Sequence, residues 1–110
     1  MRILICSIIR NREPFLFGWK DQILCLKDEN PEIRFHLSVF ENDSTDGTVE
    51  HLKELKPELE NELNNVWIEC VQEGWPYFGS IRAEKRVQYL AKARNRCLER
   101  AEQEIGRAHV

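Results

Sequence analysis

The sequence has little excess charge of either sign and no long hydrophobic run. Its 16 lysines and arginines and 19 aspartates and glutamates give a formal net charge of −3 over 110 residues. A nucleic-acid-binding chain usually shows a basic surplus, which is missing here. No apolar stretch is long enough to span a membrane. These features indicate one small domain, or part of a larger one, with no nucleic acid partner and no membrane segment.

The first residues of the chain are better explained as a buried strand than as a secretion signal, and the cysteines form no paired motif. The apolar run at residues 3–9 is short, and Arg10, Arg12 and Glu13 follow it without a small-residue cleavage site. None of the four cysteines shows the Cys-x-x-Cys spacing, and each falls in a predicted strand or helix among apolar neighbours. We therefore expect a cytoplasmic protein with buried free thiols, and neither disulfides nor a zinc site. The cysteines are Cys6, Cys25, Cys70 and Cys97.

Hydrophobic periodicity alternates along the chain between strand and helix patterns. We expect strands at residues 3–9, 33–39 and 66–71, and helices at residues 14–27, 49–55 and 87–101. The continuous apolar run of the first strand is typical of a central parallel strand. Pro57 either ends the second helix or begins a further turn, and Gly106 ends the third helix. This order predicts an α/β fold, a Rossmann-like three-layer sandwich with a mainly parallel sheet.

Residues 41–48, Glu-Asn-Asp-Ser-Thr-Asp-Gly-Thr, gather acids and hydroxyls directly after the second strand. Ligands usually bind at the carboxyl ends of strands in an α/β sheet. Acids there can accept hydrogen bonds from a base or ribose, or hold a divalent cation. The same residues also suit a helix cap and a turn. An EF-hand is excluded because Lys53 stands where the calcium loop needs a glutamate.

Arginines and aromatic residues provide further candidates. Arg94 falls within the expected apolar stripe of the third helix, so it must reach solvent, pair with a nearby acid or face an anionic ligand. Arg10, after the first strand, is either a solvated loop residue or a ligand for a phosphate or base. The aromatic rings at residues 72–80 could stack on a ligand or cover the core. His36 and His51 have no partners at metal-ligand spacing.

Two of these segments resemble one enzyme family. Residues 41–48 resemble the Asp-Asp-Gly-Ser-Thr-Asp-Gly-Thr segment of family 2 glycosyltransferases of GT-A fold. They are closer to the Glu-x-x-Ser-x-Asp-Gly-Thr segment of the cryptococcal mannosyltransferase (capsule-associated) family. Residues 86–98 resemble the Arg-Ile-x-Tyr-Leu-Ala-x-x-Arg-Asn-x-x-Leu helix of that second family. Asn42 departs from the family 2 pattern, which usually has a second aspartate there.

The resemblance implies transfer of a sugar from a nucleotide-diphosphate sugar to a hydroxyl acceptor on a glycan, lipid or protein. A Mg²⁺ or Mn²⁺ ion is expected in the complete enzyme, with its ligands and the catalytic residues beyond residue 110. The alternative is a non-catalytic α/β nucleotide-binding or interaction module. The nucleotide-sugar-binding residues expected from the resemblance are Ser7, Arg10, Glu41, Asn42, Asp43, Asp46 and Arg94.

Residues 104–110 match one reading frame of a common sequencing adapter, and we expect a non-native tail there. Residues 1–103 would then be the nucleotide-binding half of a truncated GT-A domain. Such a fragment is expected to bind no metal and to have no transferase activity by itself.

Overall fold

The computed structural model describes residues 1–76 and 84–108, with side chains described up to residue 103. Strands and helices alternate as the periodicity predicts, so the α/β fold class is confirmed. A short 3₁₀ turn, Glu13–Phe15, precedes the first helix. The main elements are β1 (Arg2–Ile9), α1 (Leu16–Glu29), β2 (Arg34–Asn42), α2 (Thr48–Glu62), β3 (Asn65–Val71) and α3 (Glu84–Ala108).

The three described strands form one parallel sheet in the order β1-β2-β3. Within this sheet β2 is central, so the prediction that the first strand is central is wrong. Every β2 residue after Arg34 is buried, whereas β1 exposes Cys6 in its middle. A continuous apolar run fits both a central strand and an outer strand with a helix on each side, which explains the error.

Side chains of β2 alternate between two hydrophobic clusters on opposite faces of the sheet. Leu37 and its odd-numbered neighbours pack against α1 and α2, in a cluster that includes Leu52 and Leu59. On the other face, Phe40 packs with Ala93 and Cys97 of α3. Helices therefore cover both faces, and the predicted three-layer arrangement is confirmed.

Helix α2 extends past Pro57, which matches the predicted alternative of a further turn, and α3 extends past Gly106, where the sequence predicts its end. Helix α2 runs through Pro57 to Glu62 and buries Leu59. Helix α3 continues through Gly106 to Ala108. Glycine in a helix costs only about 1 kcal/mol relative to alanine, so it lowers helix stability without ending the helix. In the described part of the chain, no helix is both long and apolar enough to cross a bilayer.

All four cysteines are free thiols, as predicted, but their predicted burial is only partly correct. Cys97 is buried between α3 and the sheet, and Cys70 is half-buried. Cys6 and Cys25 are exposed, so for these two the prediction is wrong. Cys6 lies on the outer strand, and Cys25 lies on the solvent side of α1, away from the buried Ile23. Apolar sequence neighbours do not determine which side of an element a residue occupies.

Candidate functional site

A cavity lies at the carboxyl ends of β1 and β2, bounded by α3 and by the segment after β3. This edge is where α/β proteins usually bind ligands, because the loops that follow parallel strands meet there. The polar and aromatic side chains that line the cavity are Arg10, Arg12, Asn42, Trp75, Arg86 and Tyr89.

Asn42 and Glu41 lie on opposite faces of the sheet, because successive residues of a strand alternate. Asn42 lines the cavity on the α3 face. Glu41 is fully buried on the face of α1 and α2, opposite Cys70 in the strand register. Its Oε2 accepts the Ser44 backbone N–H at 2.9 Å, and no described nitrogen or oxygen hydrogen-bonds to Oε1. The structure thus separates two residues that the sequence predicts to act in one pocket.

The Asp43 carboxylate holds the segment after β3 in place. Its Oδ1 accepts the Gly74 backbone N–H at 2.7 Å, and its Oδ2 accepts the Trp75 backbone N–H at 3.1 Å. The Asn42 side-chain amide also donates to Oδ2, at 2.9 Å. Burial alone would raise the pKa of Asp43, but these hydrogen bonds and the charge of Arg10 outweigh it and lower the pKa. Asp43 is therefore a structural anion beside the cavity.

The backbone of Asp43 adopts φ +53°, in the left-handed region that non-glycine residues rarely occupy. Asn11, in the loop after β1, has a similar φ of +51°. Such conformations occur where surrounding contacts fix them, often at functional sites. Both residues lie where a strand ends beside the cavity, so the backbone turns sharply at the two exits.

The loops after β1 and β2 are joined by reciprocal hydrogen bonds. The Asn11 backbone N–H donates to Ser44 Oγ at 3.0 Å, and the Thr45 backbone N–H donates to Asn11 Oδ1 at 2.7 Å. Further along, the Gly47 backbone N–H donates to Glu13 Oε2 at 2.8 Å. Glu13 lies so close to Gly47 that a Cβ atom at position 47 would come within 2.6 Å of Oε1. Glycine at this position leaves room for the Glu13 carboxylate, which a larger residue would displace.

Asp46 caps the first backbone N–H of α2 from the position before the N-cap residue, which is Gly47. Its Oδ1 accepts the Thr48 backbone N–H at 3.0 Å and also the Thr48 hydroxyl, while Oδ2 accepts the Glu13 backbone N–H at 3.4 Å. The bond from the Thr48 hydroxyl is the main cause of the lowered pKa of Asp46. For this residue the contacts match the capping alternative. A further role in nucleotide binding stays a prediction.

Arg10 and Ser7, both expected at the exit of the first strand, lie in different surroundings. The Arg10 guanidinium donates to the carbonyl oxygens of Trp75 at 3.0 Å and Pro76 at 3.1 Å, so it lies at the cavity. Ser7 Oγ accepts the Trp19 indole N–H at 3.1 Å and lines a separate groove beside α1. Of the seven expected binding residues, the cavity lining contains Arg10 and Asn42.

Arg94 is exposed, which agrees with the predicted alternative that its side chain reaches solvent. Among the described side chains of α3, the buried ones are small: Ala93, Cys97 and Ala101, of which Cys97 and Ala101 belong to the predicted stripe. Val87 and Leu98, two larger members of that stripe, are 64% and 39% exposed. Small side chains allow the helix to approach the sheet closely, and the predicted stripe gave too much weight to larger residues.

Arg96 makes the type of contacts predicted for Arg94, but with other acids. It forms ion pairs with Glu69 of β3 and, at 3.2 Å, with Glu73. Its guanidinium also lies 5.1 Å from the centre of the Phe40 ring, within the range of a cation–π contact. Among the described residues, no ion pair joins Arg94 to Glu41, Asp43 or Asp46.

Trp75 combines the two roles considered for the aromatic loop. Its ring lies 5.7 Å from the Phe40 ring and 5.1 Å from the Tyr89 ring, so it covers the second hydrophobic cluster. The same residue lines the cavity. The remaining part of the predicted aromatic loop, residues 77–80, lies outside the described residues.

The sequence interpretation missed Arg12, Arg86 and Tyr89 as lining residues. The signal for two of them was present: Arg86, Tyr89 and Ala93 follow helical spacing, and Ala93 leads on to Cys97 on the same face. Arg12 had no comparable signal, because its place depends on how the loop after β1 turns.

The described residues do not fit a divalent cation. No group of three or more His, Cys, Asp or Glu side chains among them is placed to hold a metal ion. The oxygens of Asp43 and Asp46 already accept hydrogen bonds from backbone and side-chain groups. The expectation of Mg²⁺ or Mn²⁺ in the complete enzyme stays a prediction.

Comparison with known proteins identifies one family. No curated protein and no solved structure matches the chain. A family model described as cryptococcal mannosyltransferase 1 matches residues 2–109, which is nearly the whole chain. The expected boundary at residue 103 stays a prediction. On the basis of this match, the chain belongs to the cryptococcal mannosyltransferase 1 family.

Proposed function

We propose that this chain binds the nucleotide part of a nucleotide-diphosphate sugar and that the sugar is transferred to a hydroxyl acceptor. The name of the family indicates mannose as the sugar. Family membership supports a glycosyltransferase in general. In the proposed reaction, the acceptor oxygen forms a bond to the anomeric carbon and loses its proton. The bond from that carbon to the diphosphate oxygen breaks, and its electron pair leaves with the nucleoside diphosphate.

The observation that carries the proposal is the cavity at the carboxyl edge of the sheet, with one amide and two aromatic rings. An asparagine amide can both donate to and accept from the edge of a base. Asn42 is oriented by its bond to Asp43. Trp75 and Tyr89 offer aromatic surface on which a base can stack. These groups suit a nucleoside at this edge, and the chain's own residues would bind and orient it.

Calorimetric titration of the chain with nucleotide-diphosphate sugars, with and without Mg²⁺ or Mn²⁺, tests this proposal. We expect binding of at least one such sugar, and about tenfold weaker binding by the Trp75→Leu variant, since stacking on one ring contributes about 1–3 kcal/mol. Trp67→Leu is the matched control, because Trp67 stacks on His36 and does not line the cavity. A failure to bind any nucleotide sugar, with either metal or none, would contradict the proposal.

A non-catalytic module is the second candidate, and the contacts of the acidic segment favour it. Asp46 caps α2, and Asp43 holds the backbone of Gly74 and Trp75, so both acids have structural partners. In that case, the segment after β2 would stabilise the fold without a bound nucleotide. The same titration separates a module that binds no nucleotide sugar from the proposed function.

A further inference from the structure

Positive charge is concentrated at the cavity although the chain as a whole is acidic. Three arginines line it: Arg10 after β1, Arg12 two residues later and Arg86 near the start of α3. Among the described residues, no carboxylate side chain is part of the lining. The overall net charge is −3, so these arginines form a local positive region in an acidic chain. Such a lining attracts anions, and low-dielectric walls strengthen the attraction.

Hydrogen bonds hold the side chain of Arg10 and the backbone of Arg12. The Arg10 guanidinium is held by the carbonyl oxygens of Trp75 and Pro76. The Arg12 backbone N–H donates to the Thr48 hydroxyl at 2.9 Å, which ties the loop after β1 to the first turn of α2. Because the Arg10 guanidinium is already held, less of its side-chain entropy is lost when a ligand binds.

We propose that Arg10, Arg12 and Arg86 bind the diphosphate of the donor directly through their guanidinium groups. This inference rests on the proposed function. The diphosphate of a nucleotide sugar presents two phosphate groups with one negative charge each, and planar guanidinium groups bind phosphate oxygens in a bidentate manner. The Asp43 carboxylate beside the cavity accepts the backbone N–H groups of Gly74 and Trp75.

Binding measured in the presence of a chelator such as EDTA tests this inference. The probes are inorganic pyrophosphate, a nucleoside diphosphate, the matching nucleoside and inorganic phosphate, each titrated into the full chain. We expect the two diphosphate compounds to bind in EDTA at least tenfold more tightly than the nucleoside or phosphate. Raised salt should weaken this binding, because the contact is between charges.

Two matched variants on α3 test whether pyrophosphate binds at the cavity. Arg86→Gln should weaken binding of pyrophosphate about tenfold, the effect of one charge-assisted contact. Arg100→Gln removes the same charge from α3, about 21 Å further along at about 1.5 Å per residue, and should change binding less than twofold. Circular dichroism on both variants confirms that the helix is retained.

Two results would overturn the inference: diphosphates that bind only when metal is added, or equal weakening by the two variants. Metal-dependent binding of nucleotide sugars would leave the proposed function intact and remove only the arginine site. Pyrophosphate binding in EDTA, without binding of any nucleotide sugar, would keep the arginine site and contradict the proposed function.

Discussion

The carboxylate of Asp43 accepts the backbone N–H of Trp75 at 3.1 Å, across 32 positions of sequence. The residue directly after β2 therefore fixes a residue in the segment after β3. Trp75 in turn places its ring against Phe40 and Tyr89 at the cavity. The unusual φ of Asp43 is compensated by these contacts, which a glycine at this position could not make.

Replacing Asp43 with asparagine should destabilise the protein and weaken ligand binding. The amide keeps the shape, but it loses the charge and places N–H groups near the donors of Gly74 and Trp75. We expect the free energy of unfolding to fall by about 1–3 kcal/mol. Urea denaturation measures the change, with Asp28→Asn as the control because Asp28 is exposed. Equal changes in the two variants would contradict the role of Asp43.

Stability should decrease in acid because Asp43 and Asp46 both have lowered pKa values in the folded state. As the pH falls, these carboxylates take up protons at a higher pH in the unfolded chain than in the folded protein. The stability that they contribute is therefore present above their ordinary pKa of 3.8. It is lost as the pH falls through the lower pKa values of the folded state. Unfolding measured from about pH 6 to about pH 2 should show this loss, and the pH dependence of Asp43→Asn should be flatter. An identical pH dependence in both proteins would contradict the contribution of Asp43 to the loss of stability in acid.

The Asp46→Ala substitution should lower stability through the start of α2. It removes the acceptor of the Thr48 backbone N–H and the link to Glu13. Loss of such a cap costs about 0.5–2 kcal/mol. Thermal unfolding followed by circular dichroism measures the effect. Glu50→Ala, in the same first turn but without these bonds, should cost less, and the opposite ranking would argue against the cap.

The substitutions Arg96→Met and Arg94→Met test which of the two arginines contributes more to stability. The structure predicts Arg96, whereas the sequence interpretation favours Arg94. Arg96 is partly exposed but pairs with two carboxylates and contacts Phe40, so its loss should cost about 1 kcal/mol. Arg94 is exposed, and its loss should change stability by less than about 0.5 kcal/mol. Chemical denaturation compares the two, and a larger effect at Arg94 would favour the sequence interpretation.

Cys97 should react far more slowly with alkylating reagents than the exposed Cys25. Burial raises the pKa of Cys97 to about 11, so little thiolate forms near pH 8, and the buried side chain is also shielded. Iodoacetamide labelling followed by mass spectrometry of peptides measures both rates. In urea both should react readily. Equal rates in the folded protein would show that α3 does not pack on the sheet as described.

Much of the fold follows from the sequence, because alternating strand and helix periods determine the layers. The position of β1 did not follow, since an apolar run does not distinguish an outer strand from a central one. Two motifs in the correct order were enough to indicate the family, which the comparison then confirmed.

The site was predicted less completely. Arg10 and Asn42 lie at the cavity, but Glu41 and Ser7 lie on the other side of the sheet. Strand alternation already implied the separation of Glu41 from Asn42, and the prediction overlooked it. Arg86 could not be assigned while the larger apolar residues of α3 were assumed to be buried.

The alternation of Glu41 and Asn42 has a consequence for length changes in the loop before β2. A shift of that strand by one residue along its neighbours would exchange the two faces. If Glu41 took the position of Asn42, its carboxylate would enter the cavity and the amide would leave it. A single inserted or deleted residue could thus convert an anion-binding cavity into one that repels phosphate, with every side chain of the cavity's other walls unchanged.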